Sequence, residues 1–295
     1  MTVYCFGSIN IDHFYRLSHL PAPGETLAAL EHAIGLGGKG ANQSVAAACA
    51  GARTVHLGAV GRDGAAMLER LGALGVDCTR VARRDDMDTG HAVILVDPEG
   101  ENSIVIHPGA NRAQDLGAVR AALDAAELGD ILLLQNETDL QTEVAELAIG
   151  KGLEVIYSAA PFEVEATRAI LPFSNMLVLN AVEAAQLSEA LGLPPEDLPV
   201  ESVVVTRGAD GAEWIARGAP PIHVPAFPVS PVDTTGAGDC FAGTLAAALD
   251  AGRPPAEAMR RAAAAAALQV TRRGTAEAMP GADEVAVFMS GQERA

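Results

Sequence analysis

The sequence predicts an α/β protein built around a mostly parallel sheet, and three observations carry that expectation. Short apolar runs alternate with amphipathic, Ala-rich stretches along most of the chain, the rhythm of strand–helix units. About half of the 295 residues are apolar but only 4% are aromatic, so Ala and Gly supply the filling that closely packed helix-on-sheet layers require. Two segments break the rhythm without a helical pattern, which points to a second, smaller β element set into the larger unit.

In chain order, the strands are expected at residues 3–9, 54–60, 131–135, 154–157, 176–179 and 202–206. The helices are expected at 39–50, 65–74, 115–126, 140–150, 182–191, 237–251 and 255–271. Pro254 and Pro255 suit the start of the last of these, because a first-turn residue needs no N–H. Beyond residue 281 the pattern supports one more short helix. The irregular segments are 13–34, which contains Pro21-Ala-Pro-Gly24, and 90–107, which reads as a hairpin turning at Asp97-Pro-Glu-Gly100. Residues 1–12, 35–89 and 111–295 then make the α/β domain, with 13–34 and 90–110 inserted as a β-sheet lid. Two ordinary surface hairpins remain the alternative for the inserted segments.

The formal charge of −18, from 38 acidic and 20 basic residues, excludes nucleic acid and anionic membrane as partners. A protein this acidic that holds a polyphosphate needs positive potential from backbone N–H groups at helix N-termini, which directs attention to Gly-rich loops. The N-terminal residues show neither a basic leader nor a cleavable apolar segment, and the longest apolar run, 262–268, is too short to span a bilayer. Cys5, Cys49, Cys78 and Cys240 are scattered and the histidines lack metal-ligand spacing, so a reduced, cytoplasmic protein without structural zinc is expected.

The strongest chemical signal is Asp233-Thr-Thr-Gly-Ala-Gly-Asp239 ahead of a clean helical stretch. Gly236, Ala237 and Gly238 leave N–H groups bare at a helix start, where an anion can sit. Phosphoryl transfer needs little more than positioned charge and a group that orients or deprotonates the nucleophile, and Asp239 stands where the second role belongs. A Gly-rich turn with a capping Asp is the bland alternative. A second string, Gly35-Leu-Gly-Gly-Lys-Gly-Ala-Asn42, places Lys39 and Asn42 three apart at a helix start and suits a polyhydroxyl ligand. It also matches Gly-x-Gly-x-x-Gly through Gly35, Gly37 and Gly40, a weak dinucleotide signal, and fails the Walker A pattern because Gly40 follows Lys39. Third, Asn10 and Asp12 project to one face at the expected end of the first strand, where α/β sheets hold ligands.

Together with Pro23-Gly-Glu-Thr26, Gly61-Arg-Asp-Gly64, Asn180-Ala-Val-Glu183 and Thr206-Arg-Gly208, these strings resemble the ribokinase family of sugar kinases, the phosphofructokinase-B type, along nearly the whole chain. The resemblance implies a doubly wound sheet with a β-sheet lid, a homodimer formed through that lid, and ATP, Mg2+ and K+ as cofactors. It implies that Asn10, Asp12, Gly38, Lys39, Asn42 and Glu137 grip the sugar. Asn180 and Glu183 would help place magnesium and the phosphates through water, and Thr206, Gly208 and Gly211 would line the nucleotide site. Asp239 would be the catalytic base above an anion hole of Gly236, Ala237 and Gly238. Asp233 and Thr235, with carbonyls near Gly274, would hold the monovalent cation, although Ala278 stands where a Ser commonly contributes. The implied activity is transfer of the γ-phosphate of ATP to a primary hydroxyl of a small sugar, ribose first. A ketohexose, sugar acid or nucleoside acceptor is the next expectation, and a silent sugar-binding regulator on the same fold is the alternative of another class.

Overall fold

Strand β1 (Thr2–Phe6) is buried throughout, because it is an interior strand of a nine-stranded sheet. The computed structural model to which it belongs describes residues 1–292. The chain leaves that sheet at Gly7 and forms β2 (Asn10–Arg16) and β3 (Glu31–Gly37), an antiparallel pair in a separate four-stranded sheet. It returns through α1 (Lys39–Cys49), β4 (Arg53–Gly61), α2 (Ala65–Ala73) and β5 (Val81–Arg84), then makes a second excursion as the hairpin β6 (Gly90–Val96) and β7 (Asn102–His107). Parallel pairing of β2 with β6 joins the two excursions into one small sheet, ordered β3-β2-β6-β7.

The rest of the chain winds outward through α3 (Leu116–Leu123), β8 (Ile131–Gln135), α4 (Gln141–Lys151), β9 (Glu154–Ser158), α5 (Val164–Ile170), β10 (Met176–Asn180), α6 (Ala181–Leu191) and β11 (Ser202–Thr206). A meander of β12 (Ala212–Ala216) and β13 (Ile222–Val224) closes the edge, before α7 (Ala237–Asp250), α8 (Pro255–Gln269) and α9 (Ala282–Gln292). The order β13-β12-β11-β10-β9-β8-β1-β4-β5 is parallel except for β12.

Strands buried on both faces read as continuous apolar runs, as β8 does. Along β1, Tyr4 and Phe6 face a core completed by α3 to α6, while Val3 and Cys5 face the other core, completed by α7 and α8. Helices therefore cover both faces of the sheet. Strand order reverses between β1 and β8, and such a switch point opens a crevice at the C-terminal strand ends.

The structure differs from the sequence reading at the first strand. It ends at Phe6, not residue 9, so Asn10 and Asp12 belong to the small sheet. Gly7 explains the break: a Cβ there would lie 2.6 Å from the Cα of Gly40, an approach only glycine permits. Strands β5, β12 and β13 escaped the sequence reading because they are short, without a continuous apolar run, and lie at or next to the edges of the sheet.

Candidate active site

Helix α7 starts at Gly236, whose φ of 79° only glycine adopts freely, and Ala237, Gly238 and Asp239 form its first turn. Further along, Gly243 faces α1 so closely that a Cβ would sit 2.3 Å from the carbonyl oxygen of Gln43. That approach brings two amides of α1 onto the buried Asp239 carboxylate. Asn42 Nδ2 donates to Oδ2 at 3.0 Å and Gln43 Nε2 to Oδ1 at 2.9 Å. Gln135, at the end of β8, donates to Gln43 Oε1 at 2.8 Å. A carboxylate oxygen only accepts, so Gln43 must present its nitrogen to Asp239 and its oxygen to Gln135. Gln43 and Gln135 were not singled out from sequence; the available signal was a Gln beside Asn42 and a Gln closing the apolar run of β8.

The ammonium of Lys39 lies among Asp239, Glu137 and Glu183, and the charge of Asp239 foremost holds its pKa above the usual value against the desolvation that opposes it. Glu137 Oε2 accepts from the Lys39 backbone N–H at 2.9 Å and from the Ser8 hydroxyl. Ser8 in turn receives Gly40 N on its side chain and Ala41 N on its carbonyl. The N-terminus of α1 is thus closed by protein groups. The strand before it, β3, pairs antiparallel within the small sheet, so the dinucleotide alternative has neither its anion cradle nor its parallel strand.

Asn10 and Asp12 share a face of β2 beside this cluster. Asn111 Nδ2 donates to Asn10 Oδ1 at 2.7 Å, which turns the Asn10 amide nitrogen outward as a donor. The Asp12 carboxylate lies over Gly37, where a Cβ would sit 2.1 Å from Oδ2. Burial first, then the charges of Glu137 and Glu277, push the Asp12 carboxyl up to about 7. Asn42 Oδ1 is buried without a partner and complements these groups as an acceptor. Gly38, with φ at 90°, packs against the Ser8 carbonyl between the small sheet and α1.

Asn180 and Glu183 form a capping box on α6: Asn180 Oδ1 accepts from Val182 and Glu183 N–H, and Glu183 Oε2 accepts from Asn180 N–H. Burial raises the Glu183 pKa while its cap bond and Lys39 oppose the rise. Thr206 stands across the register from Asn180 at the C-terminal end of β11, followed by exposed Gly208 with φ at 56°. Gly211 answers to packing, since a Cβ there would lie 2.1 Å from the Val224 carbonyl oxygen.

The loop before α7 is closed by Asp233, whose Oδ1 accepts from Thr235 N–H at 2.9 Å and Oδ2 from Gly274 N–H at 3.1 Å. The carbonyls of Thr235 and Gly274 both receive the Gln269 side-chain amide, at 2.8 and 3.0 Å. Oxygens expected to ligate potassium are therefore engaged with a protein donor, and the ligand set does not fit the ion in this arrangement. Among the described residues, His, Cys, Asp and Glu side chains form no group of three or more suited to a metal, and no helix is long and apolar enough to cross a membrane.

A family model described as pfkB family carbohydrate kinase matches residues 2–282. The ribokinase of Haemophilus influenzae is 33% identical over 302 residues, covering 98% of this chain and 98% of its own length. The deoxyribokinase of Salmonella typhi is 32% identical over 307 residues, covering 98% of this chain and 99% of its own. The structure of Arabidopsis thaliana ribokinase complexed with ribose and ATP superposes with a TM-score of 0.86 at 30% identity, covering 98% of each chain.

Proposed function

The chain belongs to the pfkB family of carbohydrate kinases, and on that footing we propose that it transfers the γ-phosphate of ATP to the primary hydroxyl of ribose. One observation carries the chemistry: a buried carboxylate, Asp239, is fixed at the first turn of a helix by two amides while each oxygen keeps a lone pair for a ligand. In this reading Asp239 accepts the proton of the sugar hydroxyl as its oxygen bonds to the γ-phosphorus and the bond to ADP breaks. The N–H groups of Gly236 and Gly238 face the charge on the transferring group, while the Ala237 N–H donates to the Thr234 carbonyl at 3.3 Å and braces the turn. Asn10, Asp12, Gly38, Lys39, Asn42 and Glu137 hold the sugar, and Lys39 also reaches toward the phosphate from its place beside Asp239 and Glu183.

Thr206, Gly208 and Gly211 support the nucleotide, Gly211 by shaping the turn. Magnesium suits Glu183, whose Oε1 is not used by the cap and offers a hard oxygen to a hydrated ion; bound there, the ion neutralises phosphate charge. A second copy of the chain fits the lid face that carries Asn10 and Asp12, because Phe14, Ile94, Ile104 and Ile106 extend the same face and the last two are about half exposed. Four unpaired thiols, Cys5 and Cys240 buried, agree with a reducing cytoplasm.

A deoxyribose acceptor is the second reading, favoured by the deoxyribokinase relative. The test is ADP release with ATP-Mg against ribose, deoxyribose, hexoses, sugar acids and nucleosides, with Asp239→Asn as the control. Ribose should give the highest kcat/KM, and the variant should lose about 10²–10⁴-fold in kcat. A best acceptor other than ribose rejects the substrate, and near wild-type kcat in the variant rejects Asp239 as base.

A further inference from the structure

The loop ahead of α7 is tied from within by one side chain. Gln269, on the last turn of α8, is fully buried, and its Nε2 reaches the carbonyl oxygens of Thr235 and Gly274 together. Both carbonyls can only accept, so the orientation is forced: the nitrogen faces them, and Oε1 points away, buried without a partner. An ion ligated through the lone pairs that face Gln269 would stand where the amide nitrogen stands. The charge of Asp233 is also answered locally. Burial works against its ionised form, yet N–H groups of Thr235 and Gly274 and the guanidinium of Arg273 hold its pKa below the usual carboxylate value. Ala278 brings no side-chain oxygen.

We propose that the Gln269 carboxamide replaces a monovalent cation in this chain: it draws the Thr235 and Gly274 carbonyls together and so orders the Gly236–Asp239 turn without potassium. The inference rests on that turn being the anion hole and base. On the side of the two oxygens that faces Gln269, a bound ion and the amide nitrogen exclude one another. The amide, part of the fold, is present at any salt composition, which makes the turn indifferent to the cation in solution.

The test uses the full chain with ATP-Mg and sugar fixed, in potassium, sodium or tetramethylammonium chloride at equal ionic strength, and reads both turnover and melting temperature. Wild-type turnover should agree within about twofold across the salts, and potassium should leave its Tm unmoved. Gln269→Ala empties the position between the carbonyls. Its turnover in tetramethylammonium should fall about tenfold or more as the turn loosens, and potassium should raise both its rate and its Tm. Gln269→Met, which keeps volume without donors, should lose rate in every salt and serves if the Ala variant does not fold. Potassium activation of the wild type with a raised Tm would overturn the proposal, because Oε1 would then have turned inward as a ligand. Full turnover of either variant in tetramethylammonium would overturn it too. Failure of the underlying reading is told apart separately: no ADP release from the wild type in any salt rejects the kinase, and turnover retained by Asp239→Asn rejects Asp239 as its base.

Discussion

Moving the pH one unit either side of neutrality tests Asp12 directly. Desolvation on the face of β2, reinforced by Glu137 and Glu277, places its carboxyl at about 7. The ionised form accepts sugar hydroxyls, whereas the protonated form loses the charge that strengthens those bonds. With a pKa of about 7 the group is roughly nine-tenths ionised at pH 8 and one-tenth at pH 6, so the sugar KM should rise about tenfold between them while the ATP KM stays nearly level. The assay is ADP release across pH 6 to 8, with sugar binding followed by calorimetry in the absence of nucleotide. Glu277→Gln removes one like charge and should shift the acid limb downward; Asp12→Asn should bind sugar weakly with no such limb. A sugar KM that is flat from pH 6 to 8 would refute control of affinity by Asp12, and an equal rise in the ATP KM would place the titrating group elsewhere.

Gln43→Leu should lower kcat about tenfold with both KM values nearly unchanged, because the lost hydrogen bond no longer fixes the direction of the Asp239 carboxylate. The charged and titratable neighbours, Lys39 from α1, Cys5 from β1 and Cys240 on α7, stay in place, and both thiols are kept neutral by burial. An unchanged kcat with only a lower Tm would reduce Gln43 to a packing residue. His56, sealed between Ser44 and the Gly7 carbonyl, has its imidazole pushed down by burial to about 4. Its folded pKa lies below the unfolded one, so its contribution is whole above about pH 6.5 and declines toward pH 4, by about 2 kcal/mol at pH 5. Asp12 drifts the opposite way, since its raised pKa opposes folding as pH climbs toward 7, so urea midpoints of wild type and His56→Gln must be compared at pH 7.5 and 5. Equal losses in the two proteins would refute the role of His56.

Local composition determined the elements whose surroundings repeat along the chain. The four apolar residues of β8 ahead of Gln135 and the run of β10 announce strands buried on both sides, and Gly236-Ala-Gly ahead of a helix announces a bare helix start with Asp239 in its first turn. The three-residue spacing of Asn180 and Glu183 likewise contains its own capping box. Contacts between distant segments decided the rest. The break at Gly7, which moves Asn10 and Asp12 from the large sheet to the small one, arises from the approach of Gly40, 33 residues away, and no pattern within the strand shows it. The partners of an amide are invisible in a sequence because a Gln reads the same in a core, at a surface or in a site. Only the close packing of α1 on α7 at Gly243 turns Gln43 toward Asp239, and only the meeting of the Thr235 and Gly274 segments over α8 gives Gln269 two carbonyls to hold. Short-range periodicity sets which residues become helix or strand; which polar groups meet depends on how closely backbones pass, and tertiary packing alone sets that distance.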